Sequence, residues 1–395
     1  MTYDVEQLRA REFPWTAAGD IVYLNNASTG PLPAATVRAV GDFTAARSEP
    51  WTISEEMQFG TLAETRQRLA RFVGAPASQI ALMVNTSYGI NIAARCLPFE
   101  QGDIVITSDR EFPANIYPWM ALEAARGVHL VRIPSVGVLP DEDALLAALD
   151  RPRVKALTLS WVSFSSGYRV NLERLGAACR ERGIWFIVDA IQGLGAATVD
   201  VVRCNIDVFA CGGQKWLLSP WGSGFVYLRD ELVQRLDPAP VGWMSVKASE
   251  DFTRLVDYDL TWREDARRFE VITLPFQEFA GFNTSLALLE SLGLKEVESH
   301  IATLANRIVD WATEHREIEL VTPGDAAKRA GIVSVRPADA ASASSRMTEA
   351  GIIHSFREGA IRLSPHCYNT MEDVDRALEV LSGERTHVST GRGHA

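Results

Sequence analysis

The chain has 395 residues, of which 47% are hydrophobic and 23% charged, and its formal net charge is -11 at neutral pH. These values are typical of a folded globular protein and argue against disorder, while the length favours two domains over a single hydrophobic core. An acidic surface repels phosphate backbones, so we expect no nucleic-acid partner.

The cysteine pattern and the N-terminal sequence indicate the cellular compartment of the protein. The five cysteines are scattered without a C-x-x-C pair, which indicates neither a zinc site nor a disulfide framework and fits a reducing cytoplasm. The seven histidines show no metal-ligand spacing, so no metal site is predicted. The first 14 residues lack the apolar core of a signal peptide, and no apolar run is long enough to cross a bilayer. We therefore predict a cytoplasmic protein without a membrane partner.

From about residue 60 to 230, short apolar runs alternate with amphipathic helical patterns. The predicted strands are Ile80–Val84, Asp103–Thr107, His129–Ile133, Lys155–Ser160, Trp185–Asp189, Val208–Cys211 and Gly224–Leu228. The predicted helices are Leu62–Val73, Ile90–Ala94, Ile116–Ala125, Glu142–Ala148 and Leu172–Arg182. This alternation predicts a mostly parallel sheet covered on both faces, with active groups at the carboxyl ends of its strands.

The second half of the chain has a different pattern. An irregular stretch over 238–265 predicts a connection, and a long helical pattern follows from Phe282 to Glu314. Two short strands and a final helix complete a smaller α+β unit, at Gly331–Val335, Ile361–Ser364 and Glu372–Leu381. The polar residues 383–395 predict a fraying tail.

Two charged residues follow neighbouring apolar strands. Asp189 ends one predicted strand, and Lys215 follows the next strand after two glycines, so both side chains would reach one crevice. A buried carboxylate needs a charged partner, which a protonated pyridinium nitrogen would supply. A partly desolvated lysine becomes a nucleophile towards an aldehyde, and this pairing is the signature of pyridoxal 5′-phosphate. Spacing alone leaves open an Asp in a helix cap and a surface lysine.

The region around this pair resembles a known family. The phrases V-D-A-x-Q and D-V-F-x-x-G-G-Q-K-W-L-x-x-P-x-G-x-G-F-V-Y are similar to the cofactor-lysine region of the class V aminotransferases. That family includes cysteine desulfurases, selenocysteine lyases, isopenicillin N epimerase and kynureninase. The resemblance extends from Tyr23 to Ala377, with several motifs in the right order.

The resemblance implies a fold and a domain plan. It implies the α/β fold type I of pyridoxal-phosphate enzymes, with a mostly parallel seven-stranded sheet in the large domain and a smaller α+β C-terminal domain. Residues 1–45 would pack on the small domain and line the active site. The large cofactor-binding domain would then cover 46–260, the small domain 261–382 and a flexible tail 383–395.

The resemblance also assigns cofactor contacts. N-T-S-Y-G-I-N over residues 85–91 follows a strand and opens a helix, where backbone N–H groups form an anion site. The family places Thr86 and Ser87 on the cofactor phosphate there, and either residue would also serve as a helix cap. Gln214, in place of a common histidine, would donate to the phosphate.

Further contacts to the cofactor follow from the same resemblance. Phe112, where many relatives carry a histidine, would stack on the ring as an apolar plate without proton transfer, or else be a core residue. Gln192 would approach the ring hydroxyl or the aldimine. Thr273 would reach the phosphate of a neighbouring subunit, which implies a homodimer with shared active sites.

A third group of residues would bind the substrate. Y-L-N-N-A-S-T-G-P-L-P over residues 23–33 resembles the segment that lines the substrate site, and this places Asn26 and Ser28 there unless they are turn residues. Asn115 would contact substrate or ring hydroxyl. Arg362 would clamp the substrate carboxylate with its planar guanidinium, the alternative being a surface arginine. The roles of His354 and Arg357 are left open.

The sequence narrows the range of reactions expected from this family but does not select a single one. Desulfurases carry a mobile nucleophilic cysteine ahead of the carboxylate-binding arginine, but residues 344–361 contain none and Cys367 follows Arg362. We therefore expect an external aldimine of a small amino acid, Cα deprotonation by Lys215, and then β-elimination or epimerisation. Transamination is the alternative. A non-catalytic binding or regulatory protein with the same fold is a further alternative.

Overall fold

The computed structural model describes residues 3–383, without the side chain of Glu250. The helices α1 to α12 in this range are Val5–Glu12, Ala34–Ala46, Thr61–Val73, Thr86–Cys96, Tyr117–Arg126, Glu142–Ala148, Leu172–Glu181, Asp230–Arg235, Phe276–Leu292, Leu294–Glu314, Ala340–Glu349 and Met371–Ser382. The strands β1 to β13 are Val22–Tyr23, Ile80–Met83, Ile104–Ser108, His129–Ile133, Val154–Ser160, Trp185–Asp189, Val208–Gly212, Gly224–Leu228, Ile318–Leu320, Val333–Pro337, Ile352–Ile353, Ser355–Arg357 and Ala360–Leu363. No helix within residues 3–383 is both long and apolar enough to span a membrane.

A seven-stranded sheet forms the centre of the large domain. Its order is β2-β8-β7-β6-β5-β3-β4, and β8 alone runs antiparallel to its two neighbours. All residues of β2, β7 and β8 are buried, which explains their continuous apolar runs, because helices cover both faces of such a sheet. The predicted mostly parallel sheet is confirmed, and each of its seven predicted strands is present.

A smaller antiparallel sheet lies in the C-terminal part, in the order β12-β13-β10-β9. It shares an apolar core with α10, α11 and α12. The N-terminal segment joins this part of the molecule, because β1 pairs with β11 and Asn25 forms a bridge to Ser364. The predicted smaller α+β domain is thus confirmed, whereas the domain boundaries stay predictions. Of the predicted tail, 384–395 lies outside the described residues.

Several elements differ from the predicted ones. The helical pattern from Phe282 to Glu314 is two helices, because Gly293 adopts φ 84° and ends α9 before α10 begins, a backbone conformation that favours glycine. Helix α4 begins four residues earlier than predicted, at Thr86, and the side chain of Asn85 caps it by accepting from Tyr88 N–H. Helices α2, α8 and α11 and strands β9 and β12 were not predicted, because they are short or polar on one face.

The strand directions bring the predicted chemistry to one edge. Strands β2, β5, β6 and β7 point the same way, so their carboxyl ends meet. Asp189 ends β6 and pairs with Ser160 of β5. Lys215 follows β7, and Thr86 follows β2. The sheet therefore collects an acid, an amine and a helix N-terminus at its carboxyl edge.

A buried ion pair anchors the segment that leads to Thr273. Glu270 accepts from Arg66 Nη2 at 2.7 Å and from Leu82 N–H at 2.8 Å, and both charged side chains are buried. Arg66 lies in α3 and Leu82 in β2. One carboxylate thus holds a helix, a strand and the connecting segment together.

We expect Arg66→Met to destabilise the fold strongly, because it leaves the Glu270 carboxylate buried with no cationic partner, a loss of about 3–5 kcal/mol. The midpoint of urea unfolding, followed by circular dichroism, measures the effect. Arg203→Met is the control, since Arg203 forms an exposed pair with Glu173 and such pairs contribute little. Equal midpoints for the two variants would contradict the anchoring role of this pair.

Candidate active site

Lys215 is the reactive amine of the site. It is half-buried in the loop after β7, and its Nζ lies 5.7 Å from the centre of the Phe112 ring. Burial lowers the pKa of Lys215 to about 8, while the Asp189 carboxylate opposes this shift and the Arg362 guanidinium adds to it. The interpretation of Lys215 as a surface lysine is not supported by this environment. An amine with this pKa is a nucleophile near neutral pH.

Asp189 is buried at the end of β6, with 2% of its surface exposed. Burial raises its pKa to about 6, against the hydrogen bond from Ile191 N–H (3.1 Å) and the charge of Lys215. The following residues form turns and not a helix, so Asp189 caps no helix. A buried carboxylate of this kind favours a cationic partner such as a protonated pyridinium nitrogen.

The N-terminus of α4 provides an anion site. The Thr86 hydroxyl accepts from Gly212 N–H at 2.8 Å, which leaves its own proton free to donate. Ser87 is exposed beside it. A Cβ at Gly212 would lie 2.5 Å from Gln214 Oε1 and 3.3 Å from Thr86 Oγ1, so a larger residue there would displace the Gln214 amide. Hydroxyls, an amide and helix N–H groups together fit a phosphate.

Two phenylalanines connect the lysine to the arginine. The rings of Phe112 and Phe164 meet edge to face at 5.3 Å, and the Phe164 carbonyl accepts from Arg362. Phe112 is 43% exposed, so it is not a core residue, and its ring is available as an apolar face for a planar ligand. We call the space between Lys215, Phe112 and Arg362 the crevice.

Arg362 is a buried cation and not a surface arginine, since 2% of its surface is exposed. Its guanidinium donates to the Phe164 carbonyl at 2.6 Å, to Ser28 Oγ at 2.8 Å and to Ser355 Oγ at 3.3 Å. Its Nε has no partner among residues 3–383, and none of their carboxylates forms an ion pair with it. Burial lowers its pKa to about 10. A buried cation without an anion is costly, so this group is arranged to receive one.

The N-terminal segment contributes two of the predicted substrate residues. Ser28 contacts Arg362 and also bonds Ser355 at 2.9 Å. Asn26 is fully buried, and its Oδ1 accepts from the Tyr368 hydroxyl at 3.1 Å. Its Nδ2 has no partner in the described part of the chain, which leaves a donor for a ligand oxygen. These contacts do not support the alternative interpretation of Asn26 and Ser28 as plain turn residues.

Other predicted site residues are engaged within the protein. The Gln192 amide donates to the Ala27 carbonyl and accepts from Trp216 Nε1. Asn115 is buried and bonds Glu111, Thr158 and Trp119, which favours a supporting role over substrate contact. Thr273 is exposed on the single chain. The roles predicted for these three residues stay predictions.

The sequence reasoning missed Glu111, whereas it placed His366 near the substrate site as a hydrogen-bonding residue. Glu111 accepts from Ser160 N–H, from Ser160 Oγ and from Asn115, and burial raises its pKa to about 7. His366 is buried and donates from Nε2 to the Trp216 carbonyl at 3.0 Å, beside Lys215. Glu111 directly precedes Phe112 and His366 follows Arg362 by four positions, so both stand beside residues that the resemblance assigned. No cluster of three or more His, Cys, Asp or Glu that would suit a metal occurs within residues 3–383.

Comparisons with known proteins agree with this geometry. A family model described as aminotransferase class-V matches residues 22–377. The chain is 28% identical to an uncharacterised aminotransferase of Bacillus subtilis (82% of this chain, 83% of the relative). It is 27% identical to a probable cysteine desulfurase of Pyrococcus abyssi (92% and 94%) and 26% identical to isopenicillin N epimerase of Streptomyces clavuligerus (92% and 96%).

Solved structures share the fold. A mutant of the protein C-DES with glycine covalently linked to its pyridoxal-phosphate cofactor superimposes with a TM-score of 0.85 at 23% identity, over 95% of this chain and 98% of that chain. The apo cysteine desulfurase of Thermococcus onnurineus also gives 0.85, at 24% identity over 97% and 99%.

The fold and the site define a pyridoxal-phosphate enzyme of fold type I. The match over residues 22–377 shows that the chain belongs to the class V aminotransferase family. Its cofactor is pyridoxal 5′-phosphate, and Lys215, Asp189 and the α4 N-terminus fit that group. The alternative of a non-catalytic protein is therefore not supported.

The reactivity of Lys215 should depend on pH through its lowered pKa. Only the unprotonated amine attacks an aldehyde, so the rate at which apo-protein takes up pyridoxal phosphate should reach half its maximum near pH 8. The Asp189 charge raises this pKa, so Asp189→Asn should move the midpoint to lower pH. Absorbance after mixing measures the rate.

Glu349→Gln, an exposed change on α11, is the control and should leave the midpoint in place. A midpoint near the ordinary lysine value of about 10.4, or one that Asp189→Asn leaves unmoved, would contradict the coupling of the two groups.

Proposed function

We propose that this enzyme removes the α-proton of a small amino acid with Lys215 and then completes β-elimination or inverts the α-carbon. The observation that carries the proposal is a half-buried amine with a pKa of about 8, coupled to the Asp189 carboxylate and to the unpaired Arg362 guanidinium. A general base works best when its pKa lies near the operating pH. Phe112 cannot transfer protons and the Glu111 carboxylate is bound to Ser160 and Asn115, so we assign the base to Lys215.

The surrounding residues support this proton transfer. Asp189 would keep a proton on the pyridine nitrogen, and Thr86, Ser87 and Gln214 would hold the phosphate. Pyridoxal phosphate, when bound, supplies an electron sink for the charge left at Cα. Lys215 would hold the cofactor at rest and serve as the base once the substrate amine has replaced it.

Arg362 would select which bond reacts. A planar guanidinium that binds both carboxylate oxygens fixes the charge and the plane of the substrate. This orientation determines which Cα bond stands perpendicular to the cofactor ring, and such positioning can lower the barrier by about 7–11 kcal/mol. The bonds of Arg362 to Ser28 and Phe164 hold the guanidinium in place.

Persulfide chemistry of the desulfurase kind is not part of the proposal, although several relatives are named cysteine desulfurases. Cys179, Cys204, Cys211 and Cys367 are buried, and Cys96 is half-buried with its thiol directed to the Ala239 carbonyl. Burial raises the pKa of Cys96, so its thiol is a poor nucleophile. Transamination is the second candidate, favoured by the Bacillus subtilis relative named as an aminotransferase.

We further propose that two copies of the chain share their active sites through Thr273. The segment that packs beside Thr273 exposes several large apolar side chains, which a second copy would cover. These are Val241, Trp243, Phe252, Leu255, Val256, Tyr258 and Leu260. The backbone of Gly242 packs on residues 270–272, so this segment and Thr273 form one continuous surface.

The proton step is tested by α-deuterium exchange. The holoenzyme in D2O should place deuterium on Cα of a substrate amino acid, and Lys215→Ala should slow this exchange by about 100-fold or more. Mass spectrometry of the recovered amino acid measures its deuterium content. Chiral analysis, keto-acid assay and ammonia assay then separate inversion, elimination and transamination.

Lys295→Ala, at an exposed position on α10, is the matched control and should exchange normally. Undiminished exchange by Lys215→Ala, or the absence of exchange with every amino acid tested, would sink the proposed proton transfer.

The shared site is tested with hybrid dimers. When subunits carrying Lys215→Ala are mixed with subunits carrying Thr273→Asp, each hybrid should regain one intact site, so about a quarter of all sites should be active in a statistical mixture. Activity of the mixture and its sedimentation velocity are measured together.

The control mixes Lys215→Ala with Asp189→Ala. These residues belong to one subunit's site, so no hybrid site would be intact and no activity should return. A fully active monomer, or no recovery in the first mixture, would refute the shared site.

A further inference from the structure

A second arginine lies on the same face as Arg362. In the β12–β13 hairpin, Ser355 pairs directly with Arg362, and Arg357 pairs with Ala360. Because side chains alternate along a strand, Ser355, Arg357 and Arg362 share one face of the small sheet. Arg357 stands two residues beyond Ser355, roughly 7 Å along the strand, and is exposed at the outer end of the hairpin.

The charge of Arg357 is not neutralised by the protein. Its hydrogen bond goes to the carbonyl of Phe356 at 3.4 Å, and no carboxylate within residues 3–383 forms an ion pair with it. Arg336 of the neighbouring strand β10 shows the contrast, because it pairs with Glu319 at 2.7 Å. Within the small sheet, a carboxylate thus compensates the charge of Arg336. No carboxylate of the sheet compensates the charges of Arg357 and Arg362, which lie on the face that borders the crevice.

The position of Arg357 couples it to the reacting groups. Its positive charge contributes to lowering the pKa of Arg362 and of Lys215. Two like charges near one another raise the free energy of the protein until an anion enters between them. Phe112 and Phe164 supply apolar faces to the crevice beside Arg362.

We propose that Arg357 binds a second anionic group, so that the substrates of this enzyme are amino acids whose side chains carry a carboxylate or a comparable oxyanion. Arg362 takes the α-carboxylate deep in the crevice, and Arg357 takes the side-chain anion nearer its mouth. The proposal rests on the proposed function and deepens it by naming the substrate class. An amino acid with an uncharged side chain would leave Arg357 without a partner.

The test uses the holoenzyme and two ligands that lack an amine and therefore cannot react with the cofactor. Isothermal calorimetry compares glutarate, which has two carboxylates, with butyrate, which has one. Glutarate should bind at least about ten-fold more tightly, as expected for one added charge-assisted contact of about 1.4 kcal/mol. Arg357→Gln should abolish this advantage, while butyrate should still bind through Arg362.

Arg346→Gln is the matched control, because Arg346 is an exposed arginine of the same part of the chain, on α11. It should keep the preference for glutarate. Equal binding of the two ligands by the unmodified holoenzyme, or a preference that survives Arg357→Gln, overturns the proposal.

The same samples separate this proposal from the proposed function. A glutarate preference that depends on Arg357, without α-deuterium exchange of any amino acid, would sink the proton transfer and leave the anionic subsite standing. α-Deuterium exchange that depends on Lys215, without a glutarate preference, would sink the anionic subsite and leave the proton transfer standing.

Discussion

The guanidinium of Arg362 is buried without an acid partner in the described structure, and the arrangement of the crevice depends on this one uncompensated charge. Three oxygens hold it, and they come from distant parts of the chain: Ser28 near the N-terminus, the Phe164 carbonyl and Ser355. The N-terminal segment, the large sheet and the small sheet therefore meet at a single cation. In the proposed function, a substrate carboxylate would offset the cost of this burial, so substrate binding and domain contact would be coupled.

Burial and charge compensation also set the pKa values of Lys215 and Asp189 on the other side of the crevice. Burial alone would neutralise both Lys215 and Asp189, and each charge partly restores the other, which leaves the pKa values at about 8 and about 6. Near neutral pH the Asp189 carboxylate is therefore mostly ionised, and a fraction of the Lys215 amine is unprotonated and able to act as a base. His366 and Gln192 fix Trp216 from two sides, and so they position the loop that carries Lys215.

Local patterns predicted much of this molecule. The seven strands of the large sheet were readable because each is a short apolar run bounded by turn residues, and Asp189 and Lys215 follow two of them directly. Tertiary contacts decided what was missed. Helix α11 has too few apolar residues to stand out, and Gly293 divides a continuous helical pattern only because its backbone turns to φ 84°. Asn115 matched a motif, and in the fold its buried side chain bonds Glu111, Thr158 and Trp119, so its predicted contact with a ligand stays a prediction.

The sequence by itself determined the family, the cofactor and the residues at the strand ends, because apolar periodicity and short motifs are local properties of the chain. Only the tertiary structure decided that Arg362 is buried without an acidic partner among residues 3–383, that Ser355 accepts one of its hydrogen bonds and that Arg357 lies on the same face. These facts depend on strand register and on contacts between residues separated by as many as 334 positions. Burial and charge compensation are properties of such long-range packing, and no local pattern contains them.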